Sequence, residues 1–390
     1  MLEWTIIGGG IQGIAAASFL IESRKASVED IRIIDPNSEP LAHWKKCTSL
    51  ISMPFLRSPS VHHLECDPFG LLKYAKEKES SGLFYGRYKR PALNLFNEHS
   101  DQLIESAGLQ SSWIQDRAKS IVRDGQKWRI TVESGQFYDS KNVILAIGIG
   151  EQPALPKWAE DYACSCTEQV YHIFNDHLPP LHQLKGPITV IGGGITAAHL
   201  LIKLAGLYPG NIHQIIRHKH RIMDFDSDPA WIGEKNQAPF RKIRCYSERR
   251  RKIKEARHKG SMSRELSLKL RRLEAEKKLS VAYGNPSSID KVNSHLYRIS
   301  FFDQEPSVQA GTILFATGFE NKIPGADLLA PLIKNENLPC AECGFPIVTE
   351  KLEWAPSLYV MGALAELEIG PISRNIAGAR QAAERIISSN

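Results

Sequence analysis

The residues best suited to chemistry in this chain form two glycine-rich turns, each set between an apolar strand and a helix. The first turn carries Gly8, Gly10 and Gly13. In this spacing the first glycine permits a tight turn, the second lets the backbone approach a pyrophosphate, and the third allows close helix–strand packing. Asp35 ends the next apolar strand, 22 residues after Gly13, where a ribose-binding acid belongs. We therefore predict a dinucleotide site here, against the alternative of an ordinary turn beside a strand-end acid.

The second turn carries Gly192 and Gly194, with Ala197 as a permitted replacement for the third glycine. The strand that follows ends in a basic run from Arg217 to Arg221 and has no acid. An acid would repel a 2′-phosphate and Arg217 would attract one, so the pattern favours NADP(H) over NAD(H). A solvated basic strand end is the alternative. Two sites in this order predict a flavoprotein that binds FAD and is reduced by NADPH.

The composition is that of an ordinary globular protein. The 390 residues are 42% hydrophobic and 24% charged, with a net charge of +6. The sequence contains no run of 18 apolar residues, so we expect no membrane span. We also expect no signal peptide, because the chain enters its first strand almost at once. The odd number of seven cysteines argues against a disulfide framework and for the reducing cytoplasm. We predict no metal site.

The order of strands and helices predicts an α/β fold with two Rossmann-like dinucleotide-binding domains. We expect residues 1–156 to form the first part of the FAD-binding domain. Residues 157–308 would form an inserted NAD(P)-binding domain, and residues 309–390 would complete the FAD-binding domain. Within them, 143–148 and 312–318 read as buried strands that end in glycine.

These features together resemble the two-dinucleotide-binding-domain flavoproteins over nearly the whole chain. The strands that end in Ala146-Ile147-Gly148 and Ala316-Thr317-Gly318 match the two positions where that superfamily carries Ala-Thr-Gly. The resemblance implies that the chain crosses between domains near the cofactors at these points. Gly148 would then lie at FAD and Gly318 at NADP.

Three passages are similar to flavin-dependent monooxygenases, especially the N-hydroxylating lysine/ornithine type. Trp44 and the stretch from Met53 to Arg57 resemble that family's flavin-proximal loop, with Met53 in place of the usual glutamine. His172 resembles a histidine that precedes the nicotinamide fingerprint in flavin-containing monooxygenases, although a core or surface histidine is an equal alternative. The resemblance implies that His172 lies near the nicotinamide. It also implies a pocket lined by Trp44, Met53, Arg57, His62 and His63, with Trp44 in contact with FAD.

The third passage runs from Gly362 to Arg380. Ala363 stands where flavin reductases usually carry an aspartate, which weakens a disulfide-reductase interpretation. We expect Gly370-Pro371 to open the last helix, so that its free N–H groups face the pyrimidine edge of a flavin. Gly362, Ile372 and Arg374 are the predicted FAD contacts. A plain capped helix is the alternative.

The expected function is that of an NADPH-dependent FAD monooxygenase. It would use molecular oxygen to hydroxylate a nitrogen or sulfur atom of a small metabolite through a flavin hydroperoxide. The first alternative is a thiol/disulfide or electron-transfer reductase, for which Cys340/Cys343 or Cys164/Cys166 would be the redox pair. The second is a non-catalytic flavin-binding sensor.

A basic segment from Arg241 to Lys278 contains 16 Lys/Arg residues and five Glu. The spacing of its leucines predicts amphipathic helices that project from the NAD(P)-binding domain as an insertion over about 230–280. The preferred interpretation is a solvated insertion whose positive field attracts NADPH or which faces another subunit of a homo-oligomer. The near absence of aromatic residues argues against binding of single-stranded nucleic acid.

Overall fold

A computed structural model gives the fold of the chain for residues 1–78, 80–163, 169–302 and 306–388. The strands are β1 (Leu2–Ile7), β2 (Ile31–Asp35), β3 (Phe84–Tyr85), β4 (Arg90–Pro91), β5 (Trp113–Gln115), β6 (Ala118–Asp124), β7 (Lys127–Val132), β8 (Phe137–Leu145), β9 (Val170–His172), β10 (Ile188–Ile191), β11 (Ile212–Ile216), β12 (Arg221–Ile222), β13 (Ser261–Met262), β14 (Ser280–Tyr283), β15 (Pro286–Asn293), β16 (Leu296–Phe301), β17 (Val308–Ala310), β18 (Thr312–Phe315), β19 (Glu353–Ala355) and β20 (Leu358–Val360). The helices are α1 (Ile11–Glu22), α2 (Ala42–Leu50), α3 (Gly70–Lys76), α4 (Leu93–Ser106), α5 (Glu160–Ala163), α6 (Ile195–Leu207), α7 (Glu234–Arg241), α8 (Tyr246–Ala256), α9 (Arg264–Ala275), α10 (Ala326–Glu336), α11 (Glu366–Ile369) and α12 (Ile376–Ile387).

The first sheet is built around β1 and has the strand order β19-β20-β8-β1-β2-β5. Strand β1 pairs in parallel with β2 and β8, and β20 pairs in parallel with β8. Strands β6 and β7 extend β8 as an antiparallel meander. Helices α1 and α12 pack against each other. The buried small side chains Ala15, Ala16 and Ala17 allow α1 to approach its neighbours closely.

The second sheet has the order β14-β11-β10-β18-β9, and all of its neighbouring strands are parallel. Strands β10 and β18 are buried along their whole length, as a parallel sheet covered on both faces requires. The strands of the second sheet all lie between β8 and β20 in the chain, and β8 and β20 are paired in the first sheet. The predicted α/β fold with an inserted Rossmann-like domain is therefore confirmed. Because β18 belongs to the second sheet, the chain returns to the first domain only after Gly318, later than the expected boundary at 309.

The basic segment does not project into solvent as expected. Three apolar side chains of this part of the chain are buried in the same core as the first sheet. They are Trp231 just before α7, Phe240 in α7 and Ile253 in α8. Leu266 and Leu270 of α9 are buried in the core around β10 and α6. The expectation of a solvated insertion was wrong because both halves of the segment carry apolar faces that pack on the two domains. No helix of the described residues is long and apolar enough to cross a membrane.

Candidate functional site: two dinucleotide loops and the junction between them

The first glycine loop has the geometry that its spacing predicts. Gly8 has φ +107°, and a Cβ at this position would lie 2.6 Å from the carbonyl oxygen of Ala146. A Cβ on Gly13 would lie 1.8 Å from the carbonyl oxygen of Gly8, so only glycine lets α1 start this close to β1. At Gly10 a Cβ would meet none of the described atoms within 4 Å. The loop therefore leaves open space in front of the helix.

The start of α1 is suited to hold the diphosphate of FAD. No side chain of the described residues caps this helix, and its first turn carries no acid. The free N–H groups and the positive end of the helix dipole therefore face the open space at Gly10.

The Asp35 carboxylate lies against the glycine loop at the end of β2. It accepts hydrogen bonds from the backbone N–H of Gly9 at 2.7 Å and of Asn37 at 2.9 Å. Trp113 of β5 covers the same place, since a Cβ on Gly9 would lie 2.1 Å from its ring. Its indole N–H donates to the carbonyl oxygen of Asn37 at 3.1 Å. Sequence reasoning missed Trp113, because β5 lies far from β1 and β2 in the chain and meets β2 only through strand pairing.

The second glycine loop repeats the construction of the first. Gly192 has φ +148°, and a Cβ there would lie 2.5 Å from the carbonyl oxygen of Ala316. Gly194 precedes α6, which carries neither a side-chain cap from the described residues nor an acid in its first turn. Ala197 is fully buried in that helix. Ala146 and Ala316 thus take equivalent positions beside the two loops.

Two further predicted nicotinamide contacts lie around this loop. Arg217 is exposed directly after β11, which pairs in parallel with β10. Gly318 has φ +82° and follows β18. The predicted roles of Gly148, Gly318 and Arg217 in cofactor binding stay predictions.

The last helix starts later than expected. Helix α12 begins at Ile376, and the side chain of Asn375 caps it by accepting the N–H of Gly378 at 2.9 Å. Gly370-Pro371 therefore does not open this helix, because a turn from Pro371 to Asn375 intervenes. Gln12 of α1 donates to the carbonyl oxygens of Ser373 and Asn375 at 3.2 and 3.4 Å, so this turn is attached to the first glycine loop.

Other predicted FAD contacts surround the same turn. The hydroxyl of Ser373 donates to the carbonyl oxygen of Gly362, which has φ +62° and packs on Gln12. Ile372 is buried. Arg374 donates to Glu366 at 2.7 Å and to the side-chain oxygen of Asn321 at 2.7 Å, so it joins the turn to the chain that leaves the second sheet.

Glu366 and Glu368 of α11 are the centre of a buried arginine–glutamate cluster. Glu366 is fully buried and pairs with Arg374, with Arg250 of α8 and, at 3.4 Å, with Arg257. Burial raises the pKa of Glu366, but the charges of Arg257, Arg374 and Arg250 lower it more, so the pKa lies below its usual value. The Glu368 carboxylate belongs to the same cluster and pairs with Arg249 at 2.6 Å and with Arg385 at 3.3 Å.

Of the predicted pocket residues, Trp44, Met53 and Arg57 lie near the junction of the two domains. The Trp44 indole donates to Asn97 at 3.0 Å. Met53 packs against both cores. The Arg57 guanidinium pairs with Asp226 at 2.5 Å and donates to backbone carbonyls of Asp224 and Phe225 at 2.9 Å. Arg57 therefore ties the stretch from Met53 to Arg57 to the inserted segment.

His62 and His63 lie in a different environment from the other pocket candidates. Both are buried, and Arg380 of α12 donates to the carbonyl oxygen of His63 at 3.2 Å. His63, Glu65 and His99 have ligand atoms within 4.8 Å of one another. His99 already contacts the Glu65 carboxylate at 2.9 Å, and the nearby charge of Arg380 disfavours an added cation. The absence of a metal stays a prediction.

His172 is buried, with both ring nitrogens occupied by the backbone. Its Nδ1 accepts the N–H of Phe174 at 3.3 Å, so Nε2 donates to the carbonyl oxygen of Gly318 at 3.0 Å. Burial lowers the pKa of His172 to about 4. The side chain is therefore a neutral brace that holds Gly318, next to the stacked rings of Phe174 and Phe319.

A cavity of about 270 Å³ lies between α2 and the chain that follows β9. It is lined by His43, Lys46, Cys47, Ser49, Leu50, Ile173, Phe174, Asn175, Asp176 and Leu178. None of the six predicted pocket residues lines it, but Trp44 and His172 are the immediate chain neighbours of its lining. The two domains therefore enclose a small space beside the predicted pocket residues.

The paired loops and the two parallel sheets give the chain the architecture of the two-dinucleotide-binding-domain flavoproteins. Residues 5–150 match the FAD-NAD(P)-binding family, and residues 117–232 match the L-lysine 6-monooxygenase/L-ornithine 5-monooxygenase family. A sequence comparison with curated proteins gave no match. The predicted resemblance to N-hydroxylating monooxygenases is confirmed.

Solved structures share the fold over the full length. Ornithine hydroxylase from Pseudomonas aeruginosa is 16% identical, with a TM-score of 0.78, and the match covers 100% of this chain and 98% of that one. The cadaverine monooxygenase of desferrioxamine biosynthesis from Erwinia amylovora is 14% identical, with a TM-score of 0.75 and coverage of 99% and 94%. Bacillithiol disulfide reductase from Bacillus cereus is 14% identical, with a TM-score of 0.60 and coverage of 100% and 98%. These likenesses show the fold, and the two family matches indicate an FAD- and NAD(P)H-dependent oxidoreductase of the monooxygenase type.

Buried histidines make the stability of the protein depend on pH. Burial lowers the pKa of His62, His172 and His199 to about 4, below the value of about 6.5 for an unfolded chain. The stabilisation is complete above pH 6.5 and is lost as the pH falls towards 4, because only the unfolded chain takes up the protons. Each residue contributes about 2 kcal/mol to the loss between pH 7 and pH 5.

We expect the melting temperature to fall steeply between pH 6.5 and pH 4.5. Thermal denaturation at a series of pH values measures this. His172→Gln should flatten the dependence, whereas His182→Gln, at an exposed histidine, should leave it unchanged. A melting temperature that is constant from pH 7 to pH 5 would contradict the prediction.

Proposed function

We propose that this protein is an NADPH-dependent FAD monooxygenase that hydroxylates a primary amine of a small metabolite. The observation that carries the proposal is the pair of equivalent glycine loops, each in front of an uncapped helix. The match to the lysine/ornithine monooxygenase family supports a nitrogen atom rather than sulfur as the target. The names of the two structurally similar monooxygenases, which act on ornithine and cadaverine, support an aliphatic amine.

The residues of the first domain fit the FAD cofactor. The N-terminus of α1 would hold the diphosphate, Asp35 the adenosine ribose, and the turn that contains Ile372 and Arg374 the flavin. FAD, when bound, supplies the hydride acceptor and the ring that activates oxygen. The chain's own contribution is to orient its ligands and to exclude water. His172 fits this role, because it is neutral and braces Gly318 against an apolar wall of Phe174 and Phe319.

Two observations support the finer points of the proposal. Arg217 is exposed at the end of β11, where no acid would repel a 2′-phosphate, which supports NADPH over NADH. All five cysteines of the described residues are free thiols, which supports a reducing compartment such as the cytoplasm.

The test is a coupled assay on the FAD-loaded protein with NADPH, oxygen and a panel of diamines and basic amino acids. We expect at least one amine to yield a hydroxylamine in a 1:1 ratio to the NADPH oxidised. When no amine is present, the oxidised NADPH should instead be matched by hydrogen peroxide. NADPH oxidation that yields hydrogen peroxide alone with every amine would overturn the proposal.

The reductase alternative depends on a redox-active cysteine pair. Cys340 and Cys343 lie around a tight turn in which Gly344 N–H bonds to the carbonyl oxygen of Ala341 at 2.8 Å. Burial, and then the neighbouring Cys343, raise the pKa of Cys340, which disfavours its reactive thiolate. Cys164 and Cys166 lie outside the described residues.

We therefore expect the Cys340→Ser/Cys343→Ser variant to keep at least about half of the wild-type NADPH turnover, because burial disfavours the Cys340 thiolate. Steady-state NADPH oxidation measures this, and the Cys164→Ser/Cys166→Ser variant tests the second pair. Loss of turnover in either variant with FAD retained would favour the reductase.

A further inference from the structure

The second glycine loop has a neighbour that the first one lacks. A Cβ on Gly194 would lie 3.4 Å from the Cα of Gly260, whereas the equivalent position at Gly10 faces open space. Gly260 comes from the basic segment and ends a short loop, Arg257–Gly260, between α8 and β13. In this fingerprint the second glycine is where a pyrophosphate approaches the backbone. The loop therefore forms a wall of the second dinucleotide site.

Pairing of two short strands holds this wall in place. Strand β13 follows the loop and pairs in parallel with β12, which follows the basic end of β11. Arg221 of β12 donates to the carbonyl oxygen of Lys259 at 3.4 Å. The loop that precedes β13 is thus fixed between the start of α6 and the residues after β11.

The loop also brings positive charge without a matching carboxylate. Lys259 is exposed and has no ion-pair partner among the described residues. Desolvation, and then the charges of Arg257, Arg374 and Lys254, lower the pKa of Lys259. Glu366 opposes these charges at Lys259, but its carboxylate is already bound by arginines. An anion is the ligand that relieves such crowding of like charges.

We propose that Lys259 binds the pyrophosphate of the nicotinamide dinucleotide and that Gly260 lines the same site beside the start of α6. This inference rests on the proposed function, since it assigns a residue to the second cofactor. The pyrophosphate is common to NADP+ and NAD+, so Lys259 contributes to both, whereas Arg217 contributes only where a 2′-phosphate is present. Lys259 is thus a binding residue and takes no part in the chemical steps.

The experiment is titration of the FAD-loaded protein with NADP+ and with NAD+, followed by calorimetry. Lys259→Met should lower the affinity for NADP+ and for NAD+ by the same factor, about tenfold, because one charge-assisted hydrogen bond is lost. Arg217→Ala should weaken NADP+ alone. Lys252→Met, at an exposed lysine of α8, is the matched control and should change neither affinity. The visible spectrum of FAD and the melting temperature show whether each variant is folded.

Each other outcome overturns part of the proposal. Unchanged affinities in Lys259→Met would remove Lys259 from the site, while the proposed function would stand. Weaker binding of NADP+ alone would place Lys259 at the 2′-phosphate and contradict the pyrophosphate assignment. If the wild-type protein bound neither dinucleotide, the proposed function itself would fail, and the assignment of Lys259 with it.

Discussion

Glu366→Gln should lower the free energy of unfolding by about 3–5 kcal/mol, the usual cost of removing one partner from a buried ion pair. The glutamine would leave Arg250, Arg257 and Arg374 facing one another without the carboxylate that now compensates them. Arg250 is buried, and its Nε and Nη2 atoms already lack hydrogen-bond partners among the described residues. Glu366 is its ion-pair partner among the described residues, so the variant leaves the Arg250 charge uncompensated. Chemical denaturation followed by circular dichroism measures the loss.

A matched control lies on the surface. Glu276 also contacts two cations, Arg272 at 2.7 Å and Lys278 at 2.8 Å, but all three side chains are partly or largely exposed. Glu276→Gln should leave the unfolding transition where it is, because water solvates the cations that lose their partner. If both variants lost stability equally, burial of the cluster would not be the cause.

Gly13→Ala should reduce the affinity for FAD by about 10–100-fold, corresponding to about 1–3 kcal/mol of overpacking. The added Cβ would lie 1.8 Å from the carbonyl oxygen of Gly8, and neither the backbone oxygen nor a Cβ fixed to the backbone can rotate away. The start of α1 must then move from β1 and carry its N–H groups with it. The FAD content of the purified protein and the titration of apoprotein with FAD measure the effect.

Gly206→Ala is the matched control, in a helix of the other Rossmann-like domain. A Cβ there would meet none of the described atoms within 4 Å. The variant should keep its FAD and gain about 0.5–1 kcal/mol of helix stability. Normal FAD affinity in Gly13→Ala would show that the close approach of α1 and β1 is not required.

The parts of the fold that depend on local sequence were predictable. The glycine spacing around Gly8 and Gly192 fixes a strand, a turn and a helix within about 25 residues, and buried parallel strands appear as continuous apolar runs. The resemblance matched the strand ends at Gly148 and Gly318 to each other, and in the structure Ala146 and Ala316 take equivalent positions beside the two loops. These features need no knowledge of distant contacts.

The basic segment could not be predicted in the same way. Its arginines read as a solvated surface because nothing local to α8 indicates that two glutamates more than 100 residues later will meet them. The start of α12 was missed for a related reason. Pro371 is a good first residue for a helix, but the contacts of Gln12 with Ser373 and Asn375 hold the chain in a turn instead. Tertiary contacts decided both cases.

Helix α8 belongs to the nicotinamide domain by its order in the chain and to the FAD domain by its buried contacts. Recombination between related proteins at the apparent domain boundaries would therefore separate Arg249 and Arg250 from Glu368 and Glu366. A chimera with a foreign nicotinamide domain would keep Arg374 and Arg385 beside the two buried acids but would lose Arg249, Arg250 and Arg257, which supply the rest of their counter-charge. Modular exchange in this protein therefore requires α8, α11 and α12 to be inherited together, although they are dispersed along the gene.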